Sequence, residues 1–127
     1  MKKFIFLIFF ICLGMTAQEK SATTDYVILM SDTNLLEAVV EVGASEFRDA
    51  HFRIVFYGPV VKNLKSEEFR RNWDYAMKYK IELAACKLSM DKLKMKPADL
   101  PQNMEVVPNA FTHVLELEQK GYKVLRL

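Results

Sequence analysis

Tyr26-Val27-Ile28-Leu29-Met30, then Ser31-Asp32-Thr33-Asn34, then Leu36, Val39, Val40, Gly43 and Phe47 at helical spacing: this stretch decides the fold. Five apolar, mostly β-forming residues in a row suit a strand covered on both faces, since a strand with one wet face alternates instead. The polar residues after it are all helix-capping types, and the apolar positions that follow share one helical face. A doubly covered strand feeding an amphipathic helix is the opening of a βαβ unit.

Towards the C-terminus the same alternation continues. His51-Phe52-Arg53-Ile54-Val55-Phe56-Tyr57 is a second strand, closed by Gly58-Pro59, a pair that stops pairing and turns the chain. After a short Val60–Leu64 segment, Ser66 caps a helix with Glu67 and Glu68 in its first turn, where carboxylates favour the dipole. Phe69, Trp73 and Met77 form its core stripe. Ile81 to Ala85 is a third strand, and Cys86 to Met95 continues as a helix with Cys86, Met90 and Leu93 on one side until Pro97 ends it. Pro101 keeps the connection irregular.

Met104 to Val107 is a fourth strand, followed by Pro108 and by Asn109 as N-cap of a helix from Ala110 to Lys120. That helix is expected to bury Phe111, Val114 and Leu115, with Gly121 as its C-terminal cap. Tyr122 to Leu127 is a last strand. Five strands alternating with helices predict a three-layer α/β/α sandwich around a mostly parallel five-stranded sheet. Right-handed crossovers restrict it to doubly wound arrangements, with the strand order left open.

Towards the N-terminus the composition changes. Met1-Lys2-Lys3 is a positive start, Phe4 to Met15 an apolar run interrupted only by Gly14, and Thr16-Ala17 supply small residues for cleavage. Residues 1–17 thus have the layout of a secretory signal, with the cut expected before Gln18 and the product exported, most simply to a periplasm. The run is shorter than the ~20 residues a membrane-spanning helix needs. No membrane association is expected once it is removed. Phe10-Ile11 ahead of Cys12 do not make a lipoprotein site. Residues 18–25 are a short polar leader, and 26–127 the domain.

Lys2 and Lys3 are the signal's only charges, and taking those two from eighteen basic residues leaves sixteen, against sixteen acidic ones. A formally neutral domain without a basic, aromatic-laced patch is not a nucleic-acid binder. Cleavage also removes Cys12, so the mature chain keeps a single thiol, Cys86. A cysteine without a partner in an oxidising compartment is reactive, bridged to another molecule, or buried and inert.

In an open parallel sheet, ligands bind beyond the carboxyl ends of the strands. Ser31–Asn34, Tyr57-Gly58-Pro59, Cys86 and Pro108-Asn109 are those ends. A thiol in the first turn of a helix meets unpaired N–H groups that stabilise the thiolate, and Lys87 adds a charge if it points the same way. Burial as a small apolar side chain is the competing account. His113 is read as a surface helix residue, with proton transfer near Cys86 as the alternative, and His51 as a solvated loop residue. Glu82 and Glu105 await a partner that the sequence does not identify. No glycine-rich phosphate loop, CxxC, metal-spaced histidine pair or G-x-S-x-G frame occurs, so no cofactor or metal is expected.

The stretches Ala84-Ala85-Cys86-Lys87-Leu88-Ser89-Met90, Asp99-Leu100, Val106-Val107-Pro108 and Glu118-Gln119-Lys120-Gly121-Tyr122, with the opening strand and the Tyr57-Gly58-Pro59 turn, resemble the DsrE/DsrF-like sulfur-relay family. The resemblance runs from about Tyr26 to the end. It implies a compact α/β/α domain assembled as a trimer or hexamer, and a persulfide-bearing cysteine at the position of Cys86. Gly58, Lys87, Ser89, Asn109 and His113 are then the candidates to support it. A sulfur-donor or acceptor thiol protein would be the partner. Family members often carry a small residue, Asn and Thr after the cysteine, where this chain has Lys87, Leu88 and Ser89. Two functions follow: a sulfur carrier or sulfurtransferase-like protein using Cys86, or a non-catalytic oligomeric binding module in which Cys86 is inert.

Overall fold

A computed structural model describes residues 23–127. The expected signal segment 1–17, Cys12 and the first part of the expected polar leader lie outside the described residues. Strand β1 (Tyr26–Met30) leads through a 3-10 turn (Thr33–Leu35) into α1 (Leu36–Glu46). Next come β2 (Phe52–Phe56), a 3-10 segment (Gly58–Lys65), α2 (Glu67–Lys78), β3 (Glu82–Cys86) and α3 (Lys87–Lys92). A 3-10 turn (Pro97–Asp99), β4 (Glu105–Val107), α4 (Ala110–Gln119) and β5 (Lys123–Arg126) complete the chain.

The sheet is parallel throughout, in the order β4-β3-β2-β1-β5. This order explains the layers. Steps from β1 to β4 all move the same way across the sheet, so right-handed crossovers place their helices on one face. The step from β4 to β5 returns past β1, which sends α4 to the opposite face. The two apolar clusters follow suit. Ile28, Met30, Ile54, Phe56, Leu83 and Ala85 pack with α1, α2 and the 58–65 segment, while Val27, Leu29, Val55, Ala84, Cys86 and Val107 pack under Ala110 and Val114 of α4. Alternate residues of each strand serve opposite faces.

Local capping follows the expected chemistry. Asp32 accepts from the Asn34 N–H at 2.9 Å, Ser66 from the Phe69 N–H at 3.1 Å, and Asn109 from the Phe111 N–H at 3.0 Å. Several expectations need correction. The helix after Cys86 stops at Lys92 rather than Met95, because Lys94 turns left-handed (φ 54°) and Met95 folds back to bond the Met90 carbonyl. Residues 58–65 wind into a 3-10 segment instead of a plain connection. On α2 the inward stripe is Phe69, Trp73 and Ala76, with Met77 42% exposed. On α4 only Ala110 and Val114 are buried; Phe111 and Leu115 are half exposed. A helix lying alone on its face meets the sheet along a narrow line, so two of the three expected apolar positions turn outward.

Candidate functional site

Three of the four strand ends named from the sequence converge. Tyr57, Gly58 and Pro59 after β2, Cys86, Leu88, Ser89, Lys92 and Leu93 at β3–α3, and Asn109 and Phe111 at the start of α4 line one cavity of about 400 Å³. The fourth does not join them. Ser31 instead ties down the C-terminus, donating from its N–H to the Leu127 carbonyl at 2.7 Å and from its hydroxyl at 3.1 Å.

Cys86 is the last residue of β3 and the N-cap of α3, one place earlier than a first-turn position. It is 3% exposed and is the only cysteine among the described residues. Its register partner on β4 is Val107, so the chain needs only Pro108 and Asn109 before α4 begins directly over the thiol. The Ala110 N–H then donates to Sγ at 3.4 Å. Burial raises the Cys86 pKa, but hydrogen bonds from the Ala110 and Ser89 N–H groups, the Ser89 hydroxyl and the Leu88 N–H outweigh it, and the net shift is downward.

Ser89 is a junction. Its Oγ accepts from the Gly58 N–H at 2.8 Å, which leaves its own O–H free to point at sulfur. Gly58 holds φ +75°, a left-handed conformation that suits glycine, and this aims its N–H across the cavity. Tyr57 and Phe111 meet edge-on at 5.1 Å between ring centroids and close one wall. Phe111 is exposed because it serves this wall rather than the core.

Lys87 and His113 are placed elsewhere. The Lys87 ammonium lies 3.0 Å from both carboxylate oxygens of Asp91 on the outside of α3. His113 faces Arg53, the one buried cation of β2. Arg53 donates from Nε to His113 Nε2 at 2.9 Å and reaches Glu82 at 3.1 Å and Glu105 at 2.6 Å, supplying the partner that both carboxylates lacked in the sequence. The bond requires an unprotonated Nε2. Burial lowers the His113 pKa and the Arg53 guanidinium pushes the same way, against the raising effect of Glu105 and Glu116. This cluster sits at the amino ends of the strands, with Arg53 paired to Glu82 at the start of β3 and Cys86 at its far end. His51 is exposed, with Asp25 3.5 Å from its ring.

Sequence reasoning missed Lys92, Leu88, Leu93 and Phe111 as cavity residues. Leu93 carried a signal, sharing one side of its helix with Cys86, and so did Lys92, as an unassigned cation six residues beyond Cys86.

A model of the DsrE/DsrF-like family matches residues 7–127. No curated protein matches the sequence. Among solved structures, a protein of unknown function from Methanobacterium thermoautotrophicum is similar at 17% identity and TM-score 0.68, covering 81% of this chain and all of that one. A conserved protein of unknown function from Bacteroides thetaiotaomicron matches at 16% identity and TM-score 0.68, over 85% of this chain and 98% of that one. The ychN protein from E. coli matches at 10% identity and TM-score 0.62, over 82% and 100%. At these identities the likeness is one of fold.

Proposed function

The chain belongs to the DsrE/DsrF-like family, and from that premise we propose that it is an exported sulfur carrier holding sulfane sulfur as a persulfide on Cys86. The observation that carries this proposal is the ring of donors around one thiol: the Ala110 N–H at 3.4 Å, with the Ser89 and Leu88 N–H groups and the Ser89 hydroxyl. Donors that stabilise the thiolate keep it available as a nucleophile, and a thiolate is the species that attacks sulfane sulfur. Gly58, Ser89 and Asn109 act as supports, by orienting the hydroxyl and by starting α4 over the sulfur. Lys87 and His113 are not part of this chemistry.

Mass spectrometry after incubation with polysulfide tests the proposal. An added sulfur on Cys86, absent from Cys86→Ser, is expected; identical behaviour of the two proteins contradicts it. The burial of Cys86 favours a second function, a binding module with an inert thiol. It predicts that iodoacetamide labels Cys86 only after unfolding.

Export is proposed from the charged, apolar and small-residue order of positions 1–17. Secreted protein beginning at Gln18 would bear it out. Assembly into a homo-oligomer is supported by Leu35 and Val42 of the α1 region and Leu125 of β5, which stand exposed around an apolar groove on the face opposite α4. Light scattering that finds only a monomer contradicts it.

A further inference from the structure

The cavity at Cys86 has a lining that specifies more than a thiol. Its walls are Tyr57, Pro59, Leu88, Leu93 and Phe111, and Lys92 is the one charged side chain among them. Lys87, the other cation nearby, is neutralised by Asp91, whereas Lys92 takes part in no ion pair among the described residues. An inorganic sulfane anion such as thiosulfate satisfies Lys92 but leaves the apolar walls wet, and a neutral donor leaves the ammonium unused. A space of about 400 Å³ falls in the range of pockets that take small organic molecules.

We propose that this cavity binds organic sulfane-sulfur anions, an apolar body of about ring size against Tyr57, Leu88 and Phe111 with an anionic head at Lys92, and that such molecules are the donors to Cys86. The inference rests on the sulfur-carrier function. Organic thiosulfonates and organic persulfides share this chemistry. With a thiosulfonate, the Cys86 thiolate attacks the terminal sulfane sulfur and a new S–S bond forms. The bond between that sulfur and the sulfonyl sulfur breaks, and the electron pair leaves on the sulfinate. With a persulfide, the same attack expels the organic thiolate. Neither transfer needs an oxidant or a reductant, and Cys86 ends as the persulfide in both.

The test compares benzenethiosulfonate, methanethiosulfonate and thiosulfate as donors, each initial rate of persulfide formation on Cys86 being divided by that donor's rate with free N-acetylcysteine. A benzyl persulfide serves as the second source. Wild type is expected to prefer benzenethiosulfonate to methanethiosulfonate by about tenfold, the worth of burying a ring. Leu88→Ala should shrink that preference. Lys92→Glu, an exposed and structurally mild change, should slow both thiosulfonates by about fivefold. Unreactive benzenesulfonate should protect Cys86 from iodoacetamide in wild type and not in Lys92→Glu, and methanesulfonate should not protect. Protection without persulfide from any donor overturns the sulfur-carrier function while supporting this ligand class. Equal normalised rates with all donors, with no protection by benzenesulfonate, overturn the inference itself.

Discussion

Cys86 draws its chemistry from groups that are distant in sequence, since Ala110 lies 24 residues away and Gly58, which orients Ser89, lies 31 residues from that serine. The position of the thiol at a strand end was legible from the strand predicted at 81–85 and from its place before a helix. The Ala110 donor was not, because it is a backbone N–H of a different helix, and backbone groups leave no mark in a sequence. Lys87 and His113 show the converse. Both were legible as chemical side chains near the right elements, yet their partners, Asp91 and Arg53, decide where they point. The Ser89 hydroxyl is the donor to Cys86 that a side-chain change removes. Ser89→Ala deletes it and leaves the Gly58 N–H without its acceptor, yet should keep the helix, as judged by circular dichroism, and raise the Cys86 pKa in an alkylation profile. An unchanged profile would mean that this hydroxyl does not stabilise the thiolate.

Among the elements, β1 was legible to the residue, because a doubly buried strand bounded by capping residues has one reading. The ends of α3 and the outward face of α4 were not. A helix of six residues carries too little periodicity to bound it, and Phe111 has the composition of a core residue while serving the cavity wall. Gly43 of α1 was legible only as one more small residue on the apolar face. A Cβ there would stand 2.8 Å from Phe52 Cδ1 and 3.1 Å from Ile81 Cδ1, so glycine is what lets α1 lie on β2. Gly43→Ala should then destabilise the protein by about 1–3 kcal/mol by overpacking, although alanine is the better helix former. Urea unfolding measures it, and a stabilised variant would show that α1 can shift.

In the whole molecule, strand order separates two centres that the sequence could not tell apart. Arg53 with Glu82, Glu105 and His113 braces the amino ends of three strands and α4, while the Cys86 cavity occupies the carboxyl ends. The alternation of elements predicted the parallel sheet, but the placement of β5 beside β1 depends on long-range pairing and could not be read locally. Because the folded His113 pKa lies below its unfolded value, neutral His113 stabilises the fold above the unfolded pKa of about 6.5, and this contribution is lost as pH falls towards the folded pKa. Thermal melts between about pH 7 and pH 5 should therefore show a steeper loss in wild type than in His113→Gln, whose side-chain oxygen can still accept from Arg53. Parallel curves would assign the loss to other groups. The most direct measurement on the central claim is the pH dependence of Cys86 alkylation by iodoacetamide in the folded protein. The account predicts labelling of the native state with a midpoint clearly below the ordinary thiol value of about 8.5. A thiol that labels only on unfolding, or with a midpoint at or above that value, would contradict it.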